Sequence, residues 1–278
     1  MKKFFSYFGL FSLLLVSFFY TEKTVNVVKE YDEVMIKLKE YAVKNKKEPI
    51  NAYISGNSII PGISGYQIDI NKSYNKMKRY GKFESSLVEY EDIKPQISID
   101  DNIDKYIVSG NPENRSVVLL FEVSDNDINS IIKILDKNKV KGNFFIDGNW
   151  LEKNSKDIES IIKSGHIIGN LDSDVNNFLW IDTIIKKVGK QKNGYCYFEN
   201  ESNELLNFCS LYGNYSIKPI KVTNNLYKEV KEKLISGSIF SFKIDKNNIN
   251  ELDIVISYIK SKGFIIQNLN DFIKEWFD

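Results

Sequence analysis

Hydrophobic and polar positions follow two alternating patterns from about residue 116 to the end of the chain. Apolar runs such as 116–123 (SVVLLFEV) and 239–242 (IFSF) indicate strands, because strands that are buried on both faces are continuously apolar. Segments such as 127–140 repeat apolar residues every three or four positions, as amphipathic helices do. About seven such strand–helix units with short links predict parallel strands joined by right-handed crossovers. We expect an α/β fold, a distorted (β/α)7 barrel rather than an open sheet.

The preceding residues carry other patterns. Residues 25–47 have apolar positions at helical spacing between lysines and glutamates, which predicts a stalk helix. Residues 50–112 are rich in turn-forming residues and predict a small α+β or irregular extension, with an extended piece at 93–99. The predicted domains are therefore a targeting segment at 1–24, a stalk helix and small module at 25–112, and a barrel at 113–278.

The N-terminal segment has the charge pattern of a targeting sequence. Lys2 and Lys3 are followed by an uncharged apolar stretch at 4–20. No small-residue cleavage site follows, so a signal anchor fits better than a cleaved signal peptide. We expect a single N-terminal membrane span with the bulk of the chain outside the cytoplasm, or secretion if the segment is cleaved.

Composition excludes some partners. The chain has 278 residues with 38 Lys plus Arg and 37 Asp plus Glu, so its net charge of +1 gives no reason to expect nucleic acid as a partner. Cys196 and Cys209 lie in apolar surroundings, and two buried thiols are the favoured interpretation over a disulfide or a metal pair.

Chemistry in a parallel barrel is expected at the carboxyl ends of the strands. Polar and aromatic residues follow several predicted strands there: Glu122, Asp147, Asn170, Phe198, Lys243 and Asn268.

Several of these segments resemble the NodB-homology domain of polysaccharide deacetylases, carbohydrate esterase family 4. Residues 140–154 (VKGNFFIDGNWLEKN) resemble the family's A-T-F-F-x-x-G-x-W-x-x-x-N stretch, and 161–170 (IIKSGHIIGN) resemble its A-G-H-E-I-G-N stretch. Residues 237–243 (GSIFSFK) stand where the family has G-S-I-x-L-x-H. The resemblance implies a barrel of NodB type and a relationship to N-deacetylases of amino-sugar polymers.

The family's chemistry uses zinc or another divalent metal, held by two histidines and an aspartate, with a second carboxylate as base and a later histidine as acid. By the resemblance, Glu122 stands at the base position and Lys243 at the acid histidine. The metal aspartate position holds Val123, and the two metal histidines are replaced by Leu171 and Val175. No cofactor is therefore expected, and the chain resembles a pseudoenzyme.

The single histidine of the chain, His166, does not restore the site. It matches a family histidine that precedes the strand, at the end away from the pocket, so a structural role is expected. One histidine also makes a two-histidine zinc site impossible within one subunit. A weaker alternative is a hard-cation site built from Glu122, Asp172 and Asp174. We further expect Lys243 to pair with Glu122, because an unpaired buried charge is costly.

Substrate binding, if the groove is retained, would involve the strand-end residues Asp147, Asn170, Tyr197 and Phe198. Aromatic faces suit the C–H groups of sugar rings, although most aromatics in such strands are core residues.

Three functions follow from these expectations. The first is a membrane-anchored, extracytoplasmic, inactive deacetylase-like protein that binds cell-wall glycan or a partner. The second is an active peptidoglycan or amino-sugar polymer N-deacetylase with atypical ligands. The third is a structural or assembly protein of the cell envelope.

Overall fold

The computed structural model describes residues 11–21, 29–123, 128–189 and 193–275, and the chain divides into two compact units. The N-terminal unit comprises Met1–Pro49 and Gly65–Ile93, and the sheet unit comprises Ile50–Ser64 and Lys94–Asp278. This division differs from the predicted boundary at residue 112, because residues 50–64 and 94–112 belong to the sheet unit.

The α-helices from residue 29 onwards alternate with strands through most of the sheet unit. They are α1 Glu33–Lys44, α2 Ile70–Met77, α3 Ile128–Lys137, α4 Gly148–Asn154, α5 Ile158–Lys163, α6 Val175–Gly189, α7 Asn203–Leu211, α8 Leu226–Lys233, α9 Ile249–Ser261 and α10 Leu269–Phe272.

The strands are short apart from the central one, which has eight residues. They are β1 Tyr53–Ser55, β2 Ser58–Ile60, β3 Gly65–Ile68, β4 Tyr90–Ile93, β5 Tyr106–Ile107, β6 Ser116–Val123, β7 Asn143–Ile146, β8 Ile167–Asn170, β9 Tyr195–Cys196, β10 Tyr215–Ile217, β11 Ile220–Val222, β12 Ile239–Phe242 and β13 Ile265–Gln267.

Eleven strands form one curled sheet in the order β1-β2-β5-β10-β9-β8-β7-β6-β12-β11, with β13 paired to β6. Every pairing in it is parallel except β1 with β2. The predicted alternation of strands and helices in a parallel α/β fold is confirmed. The sheet ends at β1 and β11 within the described residues, and its curled, half-barrel form is consistent with the predicted distorted barrel.

Strand β6 shows how the sheet separates two apolar layers. Val117, Leu119, Phe121 and Val123 pack in one cluster with residues of α3, α8 and α9. Val118 and Leu120 pack in the other, which contains tyrosines of β9 and β10. Successive side chains of a strand point to opposite faces, so β6 is apolar on both. Glu122 continues the second face and follows Leu120 towards the carboxyl end.

A buried carboxylate binds backbone amides of the two segments, 50–64 and 94–112, that the sheet unit contains in addition to the predicted barrel. Glu275 is 1% exposed, and its side chain accepts hydrogen bonds from Gly62 N at 2.6 Å and Ile99 N at 3.0 Å. Burial raises the pKa of this carboxyl above its ordinary value, and the two backbone hydrogen bonds act in the opposite direction. Residues 50–64 and 94–99 are thereby fixed to the C-terminal segment.

The N-terminal unit has its own small core. Helices α1 and α2 and the antiparallel pair β3–β4 enclose Val34, Leu38, Ile68 and Met77. Asp32 caps α1 by accepting a hydrogen bond from Val34 N. The helix predicted at 25–47 is confirmed over Glu33–Lys44, and residues 22–28 lie outside the described residues.

Residues 11–21 form a further helix, and its apolar side chains, such as Leu13, Phe18 and Phe19, are exposed. Among the helices that the structure describes, none is both long and apolar enough to span a membrane. Residues 1–10 of the predicted targeting segment lie outside the described residues.

Candidate functional site

A cavity of about 480 Å³ opens at the carboxyl ends of the central strands of the sheet unit. Its wall carries carboxylates, amides, one lysine and a few apolar side chains. The lining residues are Glu122, Asp147, Asn149, Leu171, Asp172, Ser173, Asn177, Phe198, Glu199, Asn200, Leu205 and Lys243. Parallel strands concentrate their functional loops at this edge, which is where the sequence places the chemistry.

Glu122 ends β6 and is half-buried in the cavity wall. Its Oε1 accepts a hydrogen bond from the Tyr197 hydroxyl at 3.1 Å. Burial, and then the charge of Glu122, raise the pKa of Tyr197 well above its ordinary value. The carboxylate that the resemblance places at the base position therefore faces a neutral phenol.

Lys243 follows β12 and extends into solvent. Its Nζ lies 3.5 Å from Glu199 Oε1, and both side chains are more than half exposed. The predicted Lys243–Glu122 pair is therefore wrong. Because Tyr197 already provides a hydrogen bond to Glu122, and because Lys243 reaches solvent, neither charge requires the other.

The aspartates at the cavity support the backbone of the loops around it. Asp147 Oδ1 accepts from Trp150 N at 2.8 Å and caps α4. Asp172 accepts from Gly148 N at 3.0 Å and from Asp174 N at 2.9 Å. The carboxylate of Asp174 accepts from the amides at the start of α6.

These hydrogen bonds test the alternative prediction of a cation site formed by Glu122, Asp172 and Asp174. Within the described residues, no group of three or more His, Cys, Asp or Glu side chains is arranged to hold a metal ion. The hard-cation interpretation is therefore wrong, because Asp172 and Asp174 serve as caps and Glu122 bonds to a tyrosine.

The three residues that the resemblance places at the metal-ligand positions lie on different surfaces of the structure. Leu171 lines the cavity and packs against the apolar cluster that contains Val118 and Leu120. Val123 is fully buried in the other layer, against the helices. Val175 begins α6 and is 51% exposed. The residues present do not fit the divalent metal of the deacetylase family, since none of these three side chains can ligate and they do not share one surface.

The Gly165–Asn170 segment, which belongs to one of the two specific matches to the family pattern, has packing roles. Gly165 has φ +83° after α5, a conformation that favours glycine. A Cβ on Gly169 would lie 2.6 Å from the Phe145 ring. Asn170 is 2% exposed; its amide donates to Phe178 O and accepts from Asp172 N. We call Gly165, His166, Gly169 and Asn170 the packing frame.

His166 lies at the amino end of β8, away from the cavity. It is 1% exposed, its Nδ1 accepts from Gly142 N at 3.0 Å, and its ring packs edge-on against Phe144. Burial is the main cause that lowers the pKa of His166, so the imidazole is neutral near pH 7. The predicted structural role is confirmed.

The predicted binding residues are divided between the cavity wall and the core. Asp147 and Phe198 line the cavity. Tyr197 and Asn170 are each 2% exposed and lie in the core. The predictions missed Asn149, Asn177 and Asn200, which line the cavity from the helices and loop that follow β7, β8 and β9. Their position after predicted strands was the signal available in the sequence.

Cys196 and Cys209 form a disulfide that joins β9 to α7, with Cα atoms 6.4 Å apart. Both residues are fully buried beside Phe178 and Phe198. The prediction of two buried thiols was right about burial and wrong about bonding. Sequence spacing does not reveal that α7 folds back against β9.

Comparison with known families and proteins agrees with this architecture. Residues 109–183 match the family Polysaccharide deacetylase. The uncharacterised protein YlxY of Bacillus subtilis (strain 168) is 34% identical over 151 residues, which cover 53% of this chain and 46% of YlxY. The chain thus matches about half the length of that relative. The peptidoglycan-N-acetylmuramic acid deacetylase PdaA of the same organism is 23% identical over 211 residues, 62% of this chain and 78% of PdaA.

Solved structures show the same fold. A carbohydrate esterase family 4 pseudoenzyme from Bacillus anthracis superposes with a TM-score of 0.66 at 22% identity, covering 89% of this chain and 97% of that chain. A mutant of that pseudoenzyme with restored enzymatic activity gives the same TM-score at 21% identity, covering 89% of this chain and all of the other. The family match over residues 109–183 and the shared fold fit a polysaccharide deacetylase-like protein of NodB type.

Proposed function

We propose that this protein binds cell-wall glycan at the strand-end cavity without hydrolysing it. The observation that carries the proposal is a cavity of about 480 Å³ in the deacetylase position whose wall retains polar groups and lacks metal ligands. Ligand pockets commonly measure about 300–1,000 Å³, so the cavity is large enough for part of a saccharide.

Hydrolysis of an acetamide needs a polarised carbonyl and an activated water, which the metal supplies in the deacetylase family. Here Glu122 stands at the position that the resemblance gives to the base, and it already bonds to Tyr197. Lys243 is paired with Glu199 in solvent. The cavity thus has carboxylates in its wall, but the described residues contain no metal-binding cluster that would stabilise an oxyanion in the family's manner.

The cavity wall suits a neutral polyhydroxylated ligand. Asn149, Asn177 and Asn200 offer both hydrogen-bond donors and acceptors. Phe198 and Leu205 add apolar surface for the C–H faces of a sugar ring. This combination of a few polar groups and apolar surface is typical of small-molecule sites.

We propose an extracytoplasmic location, with attachment to the membrane through residues 4–20. Exposed apolar side chains on the helix at 11–21 support attachment to an apolar phase. The Cys196–Cys209 disulfide supports an oxidising compartment. Membrane fractionation of cells, with protease added to intact protoplasts, tests this. A chain that stays in the cytosolic fraction and resists protease would contradict it.

Glycan binding is tested by retention of the full chain on insoluble peptidoglycan. In Leu171→Arg, a long charged side chain would occupy the cavity, and we expect at least about tenfold weaker retention. Leu211→Arg is the matched control, because Leu211 is 77% exposed on α7 and lies outside the cavity wall. Equal retention of the two variants would contradict the proposal, and absence of retention in the wild type would favour an assembly role with a protein partner.

A further inference from the structure

A second polar cavity lies beside the first in the sheet unit. It measures about 360 Å³ and is lined by residues at the beginnings of β2 and β5, by Lys218 after β10, and by Glu201, Ser202 and Asn203. None of its residues matches a motif that the sequence analysis singled out. Its size alone is sufficient for a small ligand.

One loop forms a wall of both cavities. Glu199 and Asn200 line the first cavity, and the next three residues, Glu201 to Asn203, line the second. Residues 199–202 are exposed along this stretch. We call residues 199–203 the dividing loop. A ligand that crosses it would contact both cavities.

The dividing loop is held in place from several sides. The Lys221 ammonium donates to Glu199 O at 2.8 Å, and the Tyr106 hydroxyl donates to Ser202 O at 3.0 Å. Ser202 Oγ also accepts from Leu205 N and caps α7. The Cys196–Cys209 disulfide joins the strand before the loop to the helix after it. A surface fixed in this way loses little conformational entropy when it binds a ligand.

The chemistry of the second cavity favours a neutral polyol over an ion. Its lysine, Lys218, lies 2.9 Å from Glu201 Oε2, so the two charges are paired. Asn57 donates to Asn203 Oδ1 at 2.8 Å, which leaves amide and hydroxyl groups as the remaining polar surface. Amides and hydroxyls match the donors and acceptors of sugar hydroxyls.

We propose that the two cavities are consecutive contact sites for one glycan strand, which lies across the dividing loop. The inference rests on the proposed function and extends it, since it identifies the ligand as a polymer segment that contacts both cavities. Linked sugar units occupy the second cavity at high effective concentration once the first is filled. Affinity should therefore rise with the length of the saccharide.

Calorimetric titration of the full chain with β-1,4-linked N-acetylglucosamine disaccharide and hexasaccharide tests this length dependence. For the wild type, we expect the hexasaccharide to bind at least about tenfold more tightly. The double variant Lys218→Ala/Asn57→Ala should lose this gain while its disaccharide affinity is unchanged. Lys231→Ala, an exposed lysine outside both cavities, should match the wild type with both ligands.

Each contrary outcome has a distinct meaning. Equal affinity of the wild type for both saccharides would overturn the second contact site and leave glycan binding at the first cavity intact. So would full hexasaccharide affinity in Lys218→Ala/Asn57→Ala. Absence of binding to either saccharide would overturn the proposed function together with this inference. Thermal unfolding of each variant, compared with the wild type, identifies any loss that is due to misfolding.

Discussion

The packing frame and the cavity wall lie at neighbouring parts of β8, yet they differ in how far they resemble the deacetylase pattern. His166 and Gly169 of the frame resemble that pattern, and both are held by contacts with the core. Leu171, directly after the frame, lies where the resemblance implies a metal histidine, and it lines the cavity. Residues that pack are constrained by their neighbours, whereas residues that perform chemistry are constrained only by the reaction.

A motif can therefore indicate a fold without indicating an activity. The frame residues predict where β8 begins and ends. They say nothing about the groups that face the cavity. Substitutions in the two regions should accordingly have different effects, with large losses of stability in the core and small ones at the cavity mouth.

The largest effect is expected from the disulfide beneath the dividing loop. Cys196 and Cys209 are separated by 13 positions, and closure of such a loop stabilises a protein by about 3 kcal/mol. Cys196→Ser/Cys209→Ser should lower the free energy of unfolding by about that amount in urea denaturation. The unreduced wild type should have no titratable thiol. Two free thiols in the native protein would contradict the disulfide.

A somewhat smaller loss is expected at Gly169. An added Cβ would lie 2.6 Å from the Phe145 ring, and overpacking of this kind costs about 1–3 kcal/mol. Gly169→Ala should lower the midpoint of chemical denaturation accordingly. Phe145→Leu in the same background should recover part of the loss, because it frees space beside residue 169. Strictly additive effects would show that the two side chains do not interfere.

His166 provides a test with a pH dependence. His166→Leu leaves the buried Gly142 N–H without an acceptor and should cost about 1–2 kcal/mol. His166→Asn should cost less, because its Oδ1 can replace Nδ1 as the acceptor. Peptidoglycan retention should be equal in all three proteins, since His166 does not line the cavity.

The sign of the pH effect follows from the lowered pKa of His166. The unfolded chain binds a proton more readily than the folded one. This group's contribution to stability is therefore present above the ordinary histidine pKa of 6.5 and is lost as the pH falls through the lowered pKa of the folded state. The free energy of unfolding, measured by denaturation from neutral to mildly acidic pH, should therefore fall less steeply with falling pH in His166→Leu than in the wild type. The same pH dependence in both proteins would contradict the assignment.

The smallest effect is expected at Lys243. An exposed ion pair contributes less than about 1 kcal/mol, so Lys243→Ala should change the free energy of unfolding by only a few tenths. A double-mutant cycle with Glu199→Ala should give a small coupling, and a cycle with Glu122→Gln should give none. A larger coupling with Glu122 would restore the pairing that the sequence suggested.

The sequence was sufficient to predict the order of the central strands and helices. Runs such as 116–123 are apolar at every position but two, and the helices between the strands keep their period, so the pattern predicts parallel strands. Strand β5 has only two residues, and β1 and β2 have three each. Segments this short carry no recognisable alternation. Their order from β10 outwards is β5, β2 and β1, and the nearby Gly62 is held by Glu275, over two hundred positions away.

At the site, the sequence located the residues but could not give their partners. Glu122, Asp147 and Lys243 do line the cavity, because strand ends determine position. Tyr197 as the partner of Glu122 and Glu199 as that of Lys243 depend on side-chain directions across different strands. The alternation of Glu122 and Val123 along β6, however, was available from the sequence and already places the two on opposite faces.

Acetate release is the most direct test of the central claim that the cavity has lost the deacetylase chemistry. The full chain is incubated with N-acetylated peptidoglycan oligomers, with and without added zinc, and acetate is quantified against a protein-free control. The account predicts no acetate above the control under either condition, alongside retention of the protein on the glycan. Release of acetate in proportion to protein concentration, and its loss on removal of metal by a chelator, would contradict the account.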